Sequence, residues 1–519
     1  MSFLLNFNSD LLLWVVIPSS LLLLFFLVVG LLLFERFLSY RKLCKKYQHL
    51  PGYTQFLPPV IAAFLPQWWL PKGTIINPAG FFLMDTMKAS AQQFQSDHYK
   101  VIIGLINLAF VVHTNPEMGK EIATKGAKLY KKTTQTKRTF VELFNGSNIF
   151  AEDDPMVDLT ERHVPYLNEN LKRRDVMSEF AKLTMDVIGK AGFSYRFDSF
   201  HSREDTLEQK TNFFMQYVDA LRILPTRFLR KHFKVGLYAK LHDSVESFQH
   251  VIMDIIRKRE LEESSLENRA EKEDKSDVLS LLLRDRKSKQ ESSGGSLTDD
   301  ELVSNAFVLL VAGHETTART LGFAFYLLCK NPHIQKELHH FVDQFCETYQ
   351  KETFDYEDFH SGRLDNIKAV FRETLRLYPV AIGIVRELVK NIEWHKKTIP
   401  KGTLLVYSWV LSMMSEEHWE DPESFKPTRF LKMDSKSKDD PTLGEIYNPQ
   451  SNPFIYTPFG IGGRICIGKS FAEVEGVITL AYLARNYSFQ LSDPNYKLDV
   501  DMKVTLRPTE PILVDFKKR

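Results

Sequence analysis

The chain has 519 residues, 44% of them apolar and 25% charged, with a formal charge of +2. That balance excludes intrinsic disorder and leaves no basic surplus for binding nucleic acid. Its four cysteines, Cys44, Cys329, Cys346 and Cys466, show no short paired spacing, which excludes a disulfide scaffold and a zinc site and suits a reducing compartment.

Residues 11–34 carry no charge, and only Pro18, Ser19, Ser20 and Gly30 interrupt the large apolar side chains. As a helix rising ~1.5 Å per residue, this run spans roughly 36 Å, enough for a bilayer core of about 30 Å. A cleaved signal peptide would have a shorter apolar run followed by small residues, and Glu35-Arg36-Phe37-Leu38 is no such site. The expectation is a tail at 1–10, one transmembrane anchor at 11–34, a basic and Pro-rich linker at 35–72, and one folded domain at 73–519. Asp10 precedes the span while Arg36, Arg41, Lys42, Lys45 and Lys46 follow it. The positive-inside rule then puts the tail in the lumen and the domain in the cytosol.

Residues 176–260 read as several amphipathic helices. Within them, Phe213–Met215 and Leu221–Phe233 suit either a cover over a substrate channel or a core helix with a solvated face. Residues 257–298 are charge-dense and read as a surface linker holding one short apolar helix at Val278–Leu283. Thr298-Asp299-Asp300-Glu301 forms a capping box that should open a helix running to Asn331-Pro332. The middle of that helix, Ala312-Gly313-His314-Glu315-Thr316-Thr317, combines Gly with polar and β-branched residues, which weaken a helix and can bend it. Small Ala312 and Gly313 would let a flat cofactor or a diatomic ligand approach. Taken alone, the hexapeptide is equally a kink without function.

Glu373 and Arg376 sit three apart on a further helix and can pair. The last hundred residues hold short β-rich runs at Lys503–Leu506 and Ile512–Phe516. Between these regions lies Phe459-Gly460-Ile461-Gly462-Gly463-Arg464-Ile465-Cys466-Ile467-Gly468. A lone cysteine is more often a buried structural thiol than a ligand. Here glycines allow close approach, backbone N–H groups can steady a thiolate, and Arg464 can meet a carboxylate. A metal-bearing cofactor with acidic arms suits these demands, and haem suits them best.

The decapeptide matches Phe-x-x-Gly-x-Arg-x-Cys-x-Gly at every fixed position and so resembles the haem-thiolate signature of the cytochrome P450 superfamily. Ala312–Thr317 likewise resembles that superfamily's oxygen-activating motif. The resemblance covers roughly residues 50–515. It implies the cytochrome P450 fold, mainly α with small β-sheets, preceded here by the single anchor. It further implies haem b, with Cys466 as the axial thiolate on iron, Phe459 and Gly460 in the cofactor loop, and Arg464 and Arg386 on the propionates. Arg162 would be a third propionate contact, although Asp158 stands where the superfamily has Trp. Thr316 would donate a hydrogen bond during O₂ activation and Glu315 would relay protons from solvent. His314, between them, reads as structural or surface-facing. Glu373, Arg376 and Arg429 would form a buried ion network behind the cofactor loop.

The implied activity is a membrane-anchored monooxygenase of the endoplasmic reticulum that inserts one atom of O₂ into a lipophilic substrate. Its electrons would come from NADPH through a separate flavoprotein reductase, with cytochrome b5 as a candidate second partner, because no flavin- or nicotinamide-binding segment is visible. Pocket positions are expected before Asp158, at Phe213–Leu224, near Leu309 and at Val380-Ala381-Ile382. Ala312 stands where many fatty-acid ω-hydroxylases of the superfamily have the Glu that esterifies haem, so such a link is not expected. Two rivals are a reductase-independent enzyme that rearranges hydroperoxides and a haem-binding protein without turnover. Glu315 and Thr316 speak against both.

Overall fold

Thr298 opens a helix of 32 residues. The Glu301 N–H donates to its hydroxyl at 3.2 Å, and the Thr298 N–H donates to the Glu301 carboxylate at 2.9 Å. This computed structural model describes residues 19–56, 89–103 except 91, 108–131, 171–200, 237–266, 277–291, 297–434 and 452–519 except 503. Its longer helices are α1 (Ser19–Lys46), α2 (Pro116–Leu129), α3 (Val176–Phe193), α4 (Leu237–Leu266), α5 (Val278–Glu291), α6 (Asp299–Lys330), α7 (Pro332–Tyr349), α8 (Asp365–Leu377) and α9 (Lys469–Asn486). The largest sheet runs β1 (Gly52–Gln55), β2 (His98–Ile103), β3 (Leu108–His113), β9 (Leu404–Ser408), β6 (Gly383–Leu388), β4 (Tyr130–Lys131), while β5 (Arg174–Asp175), β7 (Ile392–Trp394), β8 (Lys397–Ile399) and β10 (Tyr487–Leu491) belong to smaller sheets. β1–β2 and β3–β9 are parallel, and the other pairs are antiparallel. The architecture is therefore mainly α with small sheets, as the sequence implies.

Helix α6 is the axis of the core. Along its length it packs against α3, where Phe180 meets Phe325 at 5.0 Å between ring centres. The missing side chains of Gly313 and Gly322 make this approach possible. A Cβ on Gly322 would stand 2.5 Å from the Met177 sulfur, and one on Gly313 would stand 3.0 Å from Ile188. The space at Gly313 is thus taken by Ile188 of α3, and only Ala312 of the expected small pair is exposed. Helix α6 is not interrupted at 312–317. The Thr316 and Thr320 hydroxyls donate to carbonyls one turn back at 2.7 and 2.9 Å without displacing the ladder.

Further expectations need correction. Helix α1 continues past residue 34 to Lys46. Beyond its end, Tyr47 and Leu50 are buried, the Tyr47 hydroxyl pairs with Thr403 at 2.8 Å, and Gly52–Gln55 forms the first strand of the main sheet. Residues expected in a linker therefore belong to the folded body, because strand pairing satisfies backbone groups that proline content alone cannot place. Of the expected anchor, residues 11–18 lie outside the described residues, and Leu27, Val28 and Leu31–Phe34 are exposed. Among the described residues no helix is long and apolar enough to cross a membrane.

The charge-dense stretch from 257 also contributes to the core. Arg259 is 4% exposed and meets Asp277 at 2.8 Å and the Phe193 carbonyl at 2.8 Å, which pins α4 to α3 and α5. At the C-terminus the strands are β11 (Val500–Met502), β12 (Leu506–Pro508) and β13 (Leu513–Lys518), so of the run expected at 503–506, Val504 and Thr505 lie between strands and Leu506 opens β12, while 503 lies outside the described residues.

Helix α9 is buried from Glu473 to Ala484, and its Gly476 admits the Phe371 ring, which a Cβ would approach to 2.1 Å. Glu475 is 1% exposed, and neither carboxylate oxygen meets hydrogen-bond geometry with a described residue. Burial pushes its pKa well above the ordinary value, against a smaller opposing pull from Thr317. A raised folded pKa means this residue's stability contribution is complete below the unfolded pKa and is lost as pH rises towards the folded one. Glu475→Gln is therefore expected to unfold at higher denaturant than the parent under mildly alkaline conditions. The gain should approach about 1.4 kcal/mol per pH unit across the window, and the two proteins should converge in acid. Urea titrations over a pH series check this, and a pH-independent difference would remove the cause given.

Candidate functional site

The cofactor loop closes on itself. The Cys466 N–H donates to the Phe459 carbonyl at 2.8 Å, the Gly460 N–H to Thr457 at 2.9 Å, and the Ile465 N–H to Gly462 at 3.1 Å. Gly460 and Gly462 take φ of +80° and +62°, which only glycine adopts without strain. A Cβ on Gly462 would also stand 2.8 Å from the Ala123 Cα, so the loop sits directly on α2. Phe459 packs its half-buried ring on the main core. These contacts hold Ile465, Cys466 and Ile467 exposed in a row, with both isoleucines about half exposed at 49% and 52%. Partial desolvation raises the Cys466 thiol above its ordinary pKa, opposed by the Gly468 N–H. The loop presents sulfur, and a cation at the sulfur would have to supply what favours its thiolate form.

Arg464, just before this row, has a second guanidinium, that of Arg386, near enough for their charges to interact. Arg386 lies on β6 and Arg464 in the loop. Burial lowers the Arg386 pKa first, and the Arg464 charge lowers it further. Among the described residues no carboxylate pairs with either. Two adjacent cations without counter-charge are a poor arrangement unless an acidic ligand joins them. Val385, next to Arg386, adds exposed apolar surface. A planar apolar cofactor with two carboxylates and a thiolate-binding metal fits these residues. The third expected arginine, Arg162, lies outside the described residues, as does Asp158.

Between Glu301 and Cys329, Ala312 is the one exposed residue of α6. Thr316, half-buried one turn on, donates its hydroxyl proton to the Ala312 carbonyl at 2.7 Å. In this geometry the hydroxyl offers lone pairs to a neighbour, and donation to oxygen requires it to rotate. Glu315 is 4% exposed. Its Oε1 accepts from Arg319 Nε at 2.9 Å, Arg319 Nη2 at 2.5 Å and the Thr505 hydroxyl at 3.0 Å. The sequence reading missed Arg319 and Thr505. The i,i+4 spacing of Glu315 and Arg319 was visible, whereas Thr505 is 190 residues away. His314 is fully buried, its Nδ1 on the Leu310 carbonyl at 3.0 Å and its own carbonyl on Thr184 at 2.9 Å. It is structural, and surface exposure is excluded. Of the expected pocket positions, Leu309 and Val380 are buried in the body, Ala381 is exposed, and 213–224 lie outside the described residues.

Glu373, Arg376 and Arg429 come together. Arg376 grips both oxygens of Glu373 at 2.8 Å with both side chains wholly buried, and Arg429 Nε reaches Glu373 at 3.3 Å. Arg376 also donates to the carbonyls of Met413, Pro422 and Ser424 at 2.9, 2.7 and 3.2 Å. A link towards the loop runs through Tyr456, whose hydroxyl donates to the Arg372 carbonyl at 3.0 Å, and through the Arg372–Glu473 pair at 3.6 Å onto α9.

The family model described as cytochrome P450 matches residues 92–516. Cytochrome P450 3A6 of Oryctolagus cuniculus is 29% identical over 351 residues, which is 67% of this chain and 65% of the relative's length. Cytochrome P450 3A5 of Homo sapiens is 30% identical over 66% of this chain and 64% of its own. A self-sufficient cytochrome P450 monooxygenase of Phanerodontia chrysosporium is 32% identical over 65% of this chain but only 29% of its own length. The matches to the 3A proteins thus span just under two thirds of those relatives. The crystal structure of the cytochrome P450DA heme domain superposes with a TM-score of 0.67 at 20% identity, covering 85% of this chain and 94% of that one, which is a likeness of fold. The chain belongs to the cytochrome P450 family, whose cofactor is haem iron held by a thiolate.

Proposed function

We propose that the protein is a monooxygenase that places one atom of O₂ into a lipophilic substrate and releases the other as water. The observation that carries this reading is the middle of α6, where the single exposed residue, Ala312, adjoins the Thr316 hydroxyl, with the Glu315 carboxylate the next residue along. Haem with a thiolate ligand supplies the electron-rich iron at which O₂ is reduced and cleaved. Cys466 is the residue that would hold it, and Arg386 and Arg464 would hold its carboxylates. Thr316 orients water beside Ala312, and Glu315 passes protons to it. Glu373, Arg376 and Arg429 keep the loop's support in shape.

Electrons come from NADPH through a separate flavoprotein reductase, with cytochrome b5 as an optional second donor. The apolar run at 11–34 anchors the chain in the endoplasmic reticulum membrane, and the folded body that includes Tyr47, Leu50 and β1 is the cytosolic catalytic domain. Supporting this are the likeness to the 3A relatives and the exposed apolar side chains of α1 from Leu27 to Leu38. Substrates are fatty acids, sterols, terpenoids or xenobiotics.

Incubating full-length protein in lipid with reductase, NADPH and ¹⁸O₂ across a panel of these compounds is expected to give a product carrying one ¹⁸O atom. Conversion of a fatty-acid hydroperoxide without NADPH, and no labelled product with it, would establish the rearranging enzyme instead. Labelled product without added reductase would remove the separate electron donor.

A further inference from the structure

Two-residue hairpin turns with positive φ normally carry Asn and Gly. The turn between β7 and β8 does not. Trp394 pairs with Lys397 across the ladder, and the two residues between them, His395 and Lys396, take φ of +45° and +62°. Two consecutive side chains at positive φ strain the backbone, and such strain persists where the side chains themselves are used. His395 is used inward. Its Nε2 lies 3.3 Å from Asp97, and its ring stacks on His98 at 6.3 Å between centres. Lys396 points its charge nowhere within the fold: it is exposed and has no ion-pair partner among the described residues.

The basic end of α1 lies against this hairpin. Leu43, Cys44 and Tyr47 pack in one apolar cluster with Trp394 and Ile399. His49 Nε2 stands 2.9 Å from the Thr398 carbonyl, 349 positions further along the chain. The Tyr47 hydroxyl pairs with Thr403, and the Lys46 ammonium sits 5.3 Å from the centre of the Tyr47 ring. Lys45 and Lys46 are thereby brought beside Lys396, Lys397 and Lys401. Four of the five are exposed and Lys397 is half-buried. Among the described residues none of the five has an ion-pair partner. The acidic groups close by are engaged. Glu393 accepts the Thr398 hydroxyl at 2.5 Å, and Asp97 takes His98, Asn115 and His395. Five ammonium groups gathered without counter-charge attract an anionic partner.

The rest of α1 indicates which partner. Leu27, Val28, Leu31–Phe34, Phe37 and Leu38 are exposed and apolar, which suits lipid and suits neither an acidic protein nor a nucleic acid. From Leu38 to Lys45 the helix rises ~10 Å, and a lysine head can reach back along its own stem. A headgroup layer is about 5–8 Å thick, and its potential extends about a further 8 Å at physiological salt. The lysines lie within that reach.

We propose that the β7–β8 turn and the end of α1 form one basic collar that binds the headgroups of anionic phospholipids. The inference rests on the membrane-anchor reading and adds to it a second contact made by the tertiary fold. A single helix leaves the body free to swing about its stem, whereas a contact at the hairpin, off the axis of α1, fixes the tilt. Lys396 at a strained position is the side chain that this contact uses.

The test places full-length haem-loaded protein in nanodiscs of phosphatidylcholine alone, or of equal parts phosphatidylcholine and phosphatidylinositol. An amine-reactive label and peptide mass spectrometry then read each lysine. Lys45, Lys46, Lys396, Lys397 and Lys401 are expected to label about fivefold more slowly in the anionic bilayer, while Lys336, exposed on α7, labels equally in both. High salt should abolish the difference. Free inositol phosphate added over phosphatidylcholine should not reproduce it, and protection of equal size there would replace the bilayer by a soluble phosphate ligand. Lys396→Glu with Lys397→Glu should remove most of the protection at Lys401, which neither substitution touches. Lys396→Gly separates this role from a structural one. It should leave the protein at least as resistant to heat, because glycine accepts positive φ, and yet weaken the protection at Lys401. Equal labelling in the two bilayers, or protection confined to Lys45 and Lys46, would overturn the collar and leave the anchor standing. Release of the protein from membranes by an alkaline carbonate wash would overturn the anchor separately.

Discussion

Cys466→Ser is expected to abolish the thiolate-type carbon monoxide spectrum and monooxygenase turnover while leaving the fold in place. The two halves of this outcome have separate causes. A serine hydroxyl is not deprotonated under conditions where a metal-bound thiol is, so the anionic sulfur and its donation to iron are lost together. The side chain is exposed, and the loop's closure depends on backbone bonds from Cys466, Gly460 and Ile465 that a serine preserves. Surface substitutions of this kind shift stability by about 0.5 kcal/mol or less. Carbon monoxide difference spectra, turnover with reductase, and thermal unfolding of the cofactor-free protein separate the two effects. A serine variant that kept the thiolate spectrum would show that another residue holds the iron.

The second large effect is expected at Glu373. Glu373→Gln leaves the Arg376 guanidinium wholly buried without a counter-charge: the amide oxygen can still accept from Arg429 and the Lys426 N–H, but the amide NH2 then faces the Arg376 Nε–H, donor against donor. Breaking one partner of such a pair costs about 3–5 kcal/mol, because the surviving charge stays out of water. Against a typical total of about 5–15 kcal/mol, that is a large share. The loss should reach the cofactor loop through Tyr456 and the Arg372–Glu473 pair, so haem retention falls along with the unfolding midpoint. Replacing both residues, Glu373→Gln with Arg376→Gln, should cost less than the sum of the single changes. Urea unfolding of the four proteins measures the coupling. A single variant within about 0.5 kcal/mol of the parent would mean that the carbonyls of Met413, Pro422 and Ser424 suffice for Arg376.

Much of the fold class was legible in the chain because its strongest signals are local. A Thr-x-x-Glu box caps a helix wherever the helix lies, and it set the start of α6 correctly. Glu373 and Arg376 are three apart on one helix face, so their pairing needed no tertiary information. The decapeptide around Cys466 carries its own glycines at the positions of positive φ. Patterns of this kind depend on backbone geometry over one or two turns, and the sequence states them outright.

Other features depend on what packs from a distance, and there the linear reading failed. Gly313 looked like room for a ligand, but Ile188, 125 positions earlier, occupies that room. The charged run from 257 looked like solvated linker until Asp277 and the Phe193 carbonyl gave Arg259 a buried place. Residues 52–55 looked like hinge until β2 offered them a ladder. Thr505 gave no sign of reaching Glu315. By itself, then, the sequence determined the family, the cofactor loop and the long helix, because each is written within a short stretch of backbone. Only the tertiary structure decided that α6 exposes Ala312, that Thr505 joins Arg319 on the Glu315 carboxylate, and that Arg386 and Arg464 stand near one another without a counter-charge among the described residues. Those facts come from side chains far apart in the chain, brought together by burial of the apolar surfaces between them.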